Sequence, residues 1–144
     1  MTKVPCYWED DHSMIESGSI LRYLASSIDE LKHLYPADPH SWHAIDSLMD
    51  FFCTTFWPKL EKYYLRVKVG PSHGHSKLPR PLEQKRLLNE IHLAFKQFES
   101  NLHHKFGALD QMTIADLQIL YGIVIVRKVC HIEISEYPKL STWY

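Results

Sequence analysis

Glu16 and Ser17 are the first residues whose types and spacing could do chemistry. They stand directly before a run with helical spacing, in which Ile20, Leu21, Leu24, Ala25 and Ile28 share one side. Ser17 reads as the N-cap of that helix, with free backbone N–H groups just beyond it. Such a helix start is suited to holding a carboxylate. Thr113 and Asp116 form a second pair with a defined role. The Thr113 hydroxyl can accept from the Asp116 N–H, while the Asp116 carboxylate reaches back to the Thr113 N–H, a capping box. That role is structural, and no catalysis is assigned to it. His73 and His75 in one stretch, and His103 with His104 in another, lack carboxylate or thiol partners at ligand spacing. They read as solvated histidines, and no metal is expected. Cys6, Cys53 and Cys130 are odd in number and far apart. They give neither a disulfide framework nor a ligand set, and read as buried thiols in a reducing compartment.

Elements must position these groups. Residues 4–8 alternate, 9–12 make an acidic turn, and Met14 and Ile15 begin a return strand. The pattern is a hairpin running into a helix that ends near 30. Residues 31–40 carry Pro36 and Pro39 and read as a connection. From 41 onward Trp42, Ile45, Leu48, Met49, Phe52, Phe56 and Leu60 recur at three- and four-residue steps, which predicts a long amphipathic helix. Pro58 is expected to kink it or end its first segment near Trp57. Residues 68–81 hold three prolines and two glycines and are expected to form a loop. A further helix is predicted over 82–103, with Leu87, Leu88, Ile91, Phe95, Phe98 and Leu102 on one side. The helix after Thr113 is apolar nearly all round, which predicts a central, buried element. A short helix beginning at Tyr137 closes the chain.

The chain has 144 residues, 45% hydrophobic and 23% charged, with a net charge of -1. That size suits one globular unit with a real core. The balance of charge gives no footprint for nucleic acid. Lys and Arg are scattered, with no run that marks a membrane or RNA surface. The most apolar stretch, 119–126, is broken by Tyr121 and Gly122 and stops at Arg127, far short of a membrane span. No signal peptide is read at the start, and residues 1–3 are expected to run directly into the first strand.

The order of parts resembles the glutathione transferase superfamily, and its theta group most. The resemblance is carried by Val4-Pro5 before the hairpin and by Glu16-Ser17-Gly18-Ser19-Ile20 with Tyr23-Leu24. Leu34-Tyr35-Pro36-Ala37, Thr113-Ile114-Ala115-Asp116 and the run 137–143 continue it. It implies a mostly α fold. Residues 1–32 would be a remnant of a thioredoxin-like domain (hairpin and helix), 33–40 a linker, and 41–144 a helical bundle of the C-terminal glutathione transferase type. In the family, glutathione lies along positions matching Val4, Pro5, Glu16 and Ser17, with a cis bond before the proline. The long helix lines the electrophile site, which marks Phe52, Phe56 and Tyr63 as electrophile-site or interface residues. Core packing accounts for the same three aromatics, and a helix cap accounts for Ser17.

The family's activating Ser, Tyr or Cys comes from before the Val-Pro step, where this sequence has only Met1, Thr2 and Lys3. A first strand–helix–strand unit of ~30 residues or more is therefore expected to be missing, and Cys6 and Ser17 do not match the activating position. The resulting expectation is a non-catalytic structural or accessory subunit of a larger assembly. The alternative is a fragment or isoform of an active theta-like transferase that conjugates glutathione to electrophiles. Glutathione would be ligand or substrate, with no other cofactor. A protein partner, in a larger complex or a homodimer, is expected to cover the hairpin edge and the adjoining helix face. Nucleic acid and membrane insertion are not expected. The location expected is cytoplasmic, or an organellar (mitochondrial) assembly.

Overall fold

The computed structural model describes residues 4–144. The expectation about residues 1–3 lies outside them. Strand β1 (Cys6–Glu9) pairs antiparallel with β2 (His12–Ile15), in the register Cys6 to Ile15 through Glu9 to His12. The turn between them needs a positive backbone angle, which Asp10 supplies at φ 48°. Helix α1 (Ser17–Ser27) follows at once. It is held to the hairpin by Tyr23, whose hydroxyl donates to Glu9 Oε2 at 2.5 Å and whose ring lies 6.2 Å from Tyr7.

A 3-10 turn (Asp29–Leu34) leads to helix α2 (Pro39–Phe51). Asp38 caps α2 by accepting from the Ser41 N–H at 2.9 Å, and Pro39 sits at its first position, where its missing donor costs nothing. Arg22 of α1 donates to Asp46 of α2 at 2.8 Å, and the Tyr35 hydroxyl donates to the same carboxylate at 3.1 Å. Hairpin helix, connection and bundle are thus pinned at one point. Trp42 stacks on Tyr35 and stays exposed, so it guards this junction rather than joining the core.

Pro58 neither ends nor interrupts the helical rod. Between α2 and helix α3 (Trp57–Tyr63) the backbone opens into a π turn, Phe52–Phe56, where the Trp57 N–H donates to the Phe52 carbonyl five residues back. Proline clashes with the carbonyl four residues before it, here that of Thr54, and the wider turn gives that carbonyl room. The device recurs. A second π turn, Tyr64–Val69, precedes Pro71, and the helical chain carries on through Gly70–Ser72. The loop expected over 68–81 therefore begins only after Ser72. It is closed off by Gly74 at φ 69°, with the His75 N–H returning to the Gly70 carbonyl at 2.9 Å.

Helix α4 (Pro81–Asn101), helix α5 (Ile114–Val124) and the short helix α6 (Pro138–Trp143) complete the bundle. The core lies between the rod, α4 and α5. Ile45, Met49, Phe56 and Leu60 meet Leu87, Ile91, Phe95 and Phe98, and Ile119 and Ile123 close the third side. Gly122 lets α5 approach closely, since a Cβ there would stand 2.7 Å from the Phe52 ring. Asp116 is buried and takes four donors: the Thr113 N–H and hydroxyl at 2.8 Å, the Gly107 N–H at 2.7 Å and Trp143 Nε1 at 2.7 Å. The capping box is formed, and it also ties the preceding loop and the last helix to α5. Helix α5 is not buried all round. Leu117, Leu120, Tyr121 and Val124, one helical stripe, face outward.

Among the described residues no helix is long and apolar enough to cross a membrane.

Candidate functional site

The hairpin brings together the two sequence-predicted pairs. Its register sets Cys6 opposite Ile15, so Pro5 and Glu16 follow at the same end of the ladder. The Val4–Pro5 peptide bond is cis. Val4 and Pro5 on one side, and Glu16 and Ser17 on the other, are all exposed.

The start of α1 differs from the sequence reading. Ser17 is not the N-cap but the first helical residue. The cap position falls on Glu16, whose backbone turns through φ 68° and ψ 112°, and no side chain caps the helix. A non-glycine residue in that region is strained, and such strain concentrates at binding sites. The first intrahelical bond runs from the Ile20 N–H to the Glu16 carbonyl at 3.0 Å. The N–H groups of Ser17, Gly18 and Ser19 precede it and have no helical partner. The physical reason for the shift is that β2 runs straight into the helix. The chain must reverse direction in one residue, so the cap takes a left-handed backbone and its side chain turns away from the first turn.

Beneath this terminus lies a polar floor that the sequence reading missed. Gln118 of α5 is buried against Gly18, where a Cβ would come 3.5 Å from Nε2. Its Nε2 donates to Cys53 Sγ at 3.1 Å, and its Oε1 is buried without a partner. Of the three cysteines expected to be buried, only Cys130 is; Cys6 is half-buried and Cys53 is exposed. Partial burial of the Cys53 sulfur still pushes its thiol above the ordinary value, the Gln118 bond partly offsets this, and the Asp50 and Glu16 charges add to it. Cys53 thus holds its proton more firmly than a free thiol beside the site. Arg22 loses hydration by burial, but the Asp46 carboxylate more than compensates and raises its hold on the proton. A glutamine on an apolar helix gives the sequence no signal of which neighbour it faces.

Phe52 backs the ring of Trp57 at 6.0 Å, while Phe56 and Tyr63 lie farther along the rod. All three are buried. Phe56 packs between Phe95 and Phe98, with ring centroids at 5.4 and 6.3 Å. Tyr63 borders a hollow of about 300 Å³ with Leu88, His92 and Cys130, on a different part of the bundle. What opens next to the α1 terminus is another apolar pair. One turn on from Cys53 and from Gln118, Trp57 and Tyr121 meet with centroids 5.7 Å apart, and Tyr121 is 61% exposed. The site can therefore offer backbone donors for a carboxylate, an acidic side chain at Glu16 for an ammonium group, and an apolar wall one turn away.

The histidines do not converge. The His73 and His75 rings stack at 6.1 Å on an exposed turn, and among the described residues no three His, Cys, Asp or Glu side chains are grouped to hold a metal ion.

No protein-family model matches the chain. Glutathione S-transferase theta-2 of Rattus norvegicus is 28% identical over 155 aligned positions, which take in 99% of this chain and 59% of that protein. The chain thus spans about three fifths of the length of the curated relatives it matches. The crystal structure of human glutathione transferase theta-2, a complex with glutathione and an unknown ligand, superposes with a TM-score of 0.87 at 23% identity. It covers 98% of this chain and 58% of that one. An epsilon-class glutathione S-transferase from the housefly, Musca domestica, superposes with a TM-score of 0.80 at 27% identity, over 98% of this chain and 62% of that one. Over the part of their length that it spans, the chain is homologous to the theta-class glutathione S-transferases and carries the glutathione transferase fold.

Proposed function

We propose that this chain is a glutathione transferase-like accessory subunit, which keeps the family's glutathione-holding turn and docks into a larger assembly through its hairpin. The observation that carries the docking is the sheet. Among the described residues it has two strands only, so the outer edge of β1 around Trp8 can take a further strand. Two strands alone are marginal in water, and apolar side chains stand out around them, with Val4 89% and Trp8 68% exposed. A strand added by a partner would satisfy both features.

Glutathione fits the turn by chemistry. Its γ-glutamyl carboxylate would take the Ser17 hydroxyl and the N–H groups of Ser17, Gly18 and Ser19, its ammonium the Glu16 carboxylate, and its peptide backbone the exposed chain at Val4. A second reading has its own support. The Trp57–Tyr121 wall lies one turn from the same terminus, as an electrophile surface would in a transferase that adds glutathione thiolate to an apolar substrate.

Column sizing and a conjugation assay separate the two. The purified chain is assayed with glutathione and a chlorinated nitroaromatic electrophile. The accessory reading expects self-association or partner-dependent solubility, with product formation at the uncatalysed rate. Turnover above that rate, lost on addition of a glutathione-site inhibitor, would establish the enzyme instead.

A further inference from the structure

Lysines and arginines that are scattered in the sequence come together on the outer face of α4. Leu82, Lys85, Arg86, Asn89, Leu93 and Lys96 are all exposed. At 3.6 residues per turn they fall within an arc of about 120°. Every exposed charge among these helix residues is positive, and the exposed Glu136 adjoins Leu93 and Lys96 from before α6. Two acids of α4 are engaged elsewhere: Glu83 pairs with Arg66, and Glu99 accepts from the backbone N–H groups of Lys139 and Leu140; Glu90 pairs with Lys62 and with Arg86 of this face. Lys77, Leu78 and Arg80, directly before the helix, are exposed as well. Lys77, Arg80, Lys85 and Lys96 have no ion-pair partner among the described residues. Among these cations stand leucines with little cover, Leu82 at 81% and Leu93 at 59%.

We propose that this face binds an anionic lipid surface, with the cations over the headgroups and Leu78, Leu82 and Leu93 entering the interfacial layer. Complementarity of charge selects the partner, because the basic face stands out on a chain whose net charge is -1. The isolated leucines select lipid over an acidic protein. They stand on a convex helix face, about 16 Å apart from Leu82 to Leu93 by the rise per residue. A fluid interface accepts such side chains wherever they fall, whereas a protein would need a matching pit for each. The site is remote from the α1 terminus and independent of glutathione. It is peripheral contact and involves no spanning segment.

The test is co-sedimentation of the full chain with vesicles of phosphatidylcholine alone and with phosphatidylserine added. The expected result is at least a fivefold larger bound fraction on the anionic vesicles, falling as salt rises from 50 to 300 mM on the order of the screening length. Lys85→Glu with Lys96→Glu should abolish the difference. Leu82→Ser with Leu93→Ser should weaken binding severalfold at unchanged charge, and both variants should keep the parent circular dichroism. Equal binding to both vesicle types, or binding indifferent to the leucine pair, would overturn the proposal. So would capture by soluble polyglutamate without capture by vesicles, which would indicate an acidic macromolecule.

Discussion

Asp116 shows how far a single residue can exceed its sequence motif. As a cap alone its loss would cost about 1 kcal/mol. In the fold it also holds the Gly107 N–H and the Trp143 indole, all out of water. Asp116→Ala is predicted to destabilise the chain by about 3–4 kcal/mol, because several buried donors lose their acceptor together. Urea unfolding measures this, and a loss near 1 kcal/mol would mean that the cap is all that matters. Ser17 is the reverse case. Its hydroxyl caps nothing, so Ser17→Ala should change stability by less than about 0.5 kcal/mol while weakening glutathione binding. Cys130 gives a pH dependence. Burial pushes its thiol from the ordinary 9.0 up to about 11. The folded state therefore disfavours the thiolate, so this contribution to stability is whole below pH 9 and is lost as pH rises toward 11. Melting temperatures across pH 8–11 should fall more steeply in the parent than in Cys130→Ala.

At the scale of elements, the sequence shows what forms a helix more clearly than what ends one. The apolar periodicity of 41–60 marks the rod, and the capping residues mark the start of α5. Pro58 and Pro71 do not stop the rod, because a π turn before each makes room for the ring. A periodic pattern cannot announce such a turn, since it shifts the register by a single residue. Gly70 sits where this matters. A Cβ there would meet the Leu65 carbonyl at 2.8 Å and would also press on Ser76 Oγ. Gly70→Ala is predicted to cost about 1–2 kcal/mol. Adding Ser76→Ala should recover only part of it, because the backbone carbonyl cannot move aside. A double-mutant cycle in urea tests this.

For the whole molecule, the order of motifs made the fold and the turn at Val4–Pro5 and Glu16–Ser17 legible from the sequence. The surroundings of that turn were not. Helix spacing marks Phe52, Phe56 and Tyr63 as apolar, but cannot say whether they face a core or an opening; here Phe52 and Phe56 face the core and Tyr63 borders a hollow on another part of the bundle. The floor at Gln118 and the wall of Trp57 and Tyr121 arise only when α5 packs against the rod and α1. The basic face of α4 is a product of folding in the same way. The central claim is that the uncapped start of α1, beside the Val4–Pro5 turn, holds glutathione. Calorimetric titration of the folded chain with glutathione tests it most directly. The titration should give saturable heat for one site per chain, with affinity reduced at least threefold by Ser17→Ala at an unchanged melting temperature. A folded chain that gives no heat, or a Ser17→Ala variant that binds as the parent does, would contradict it.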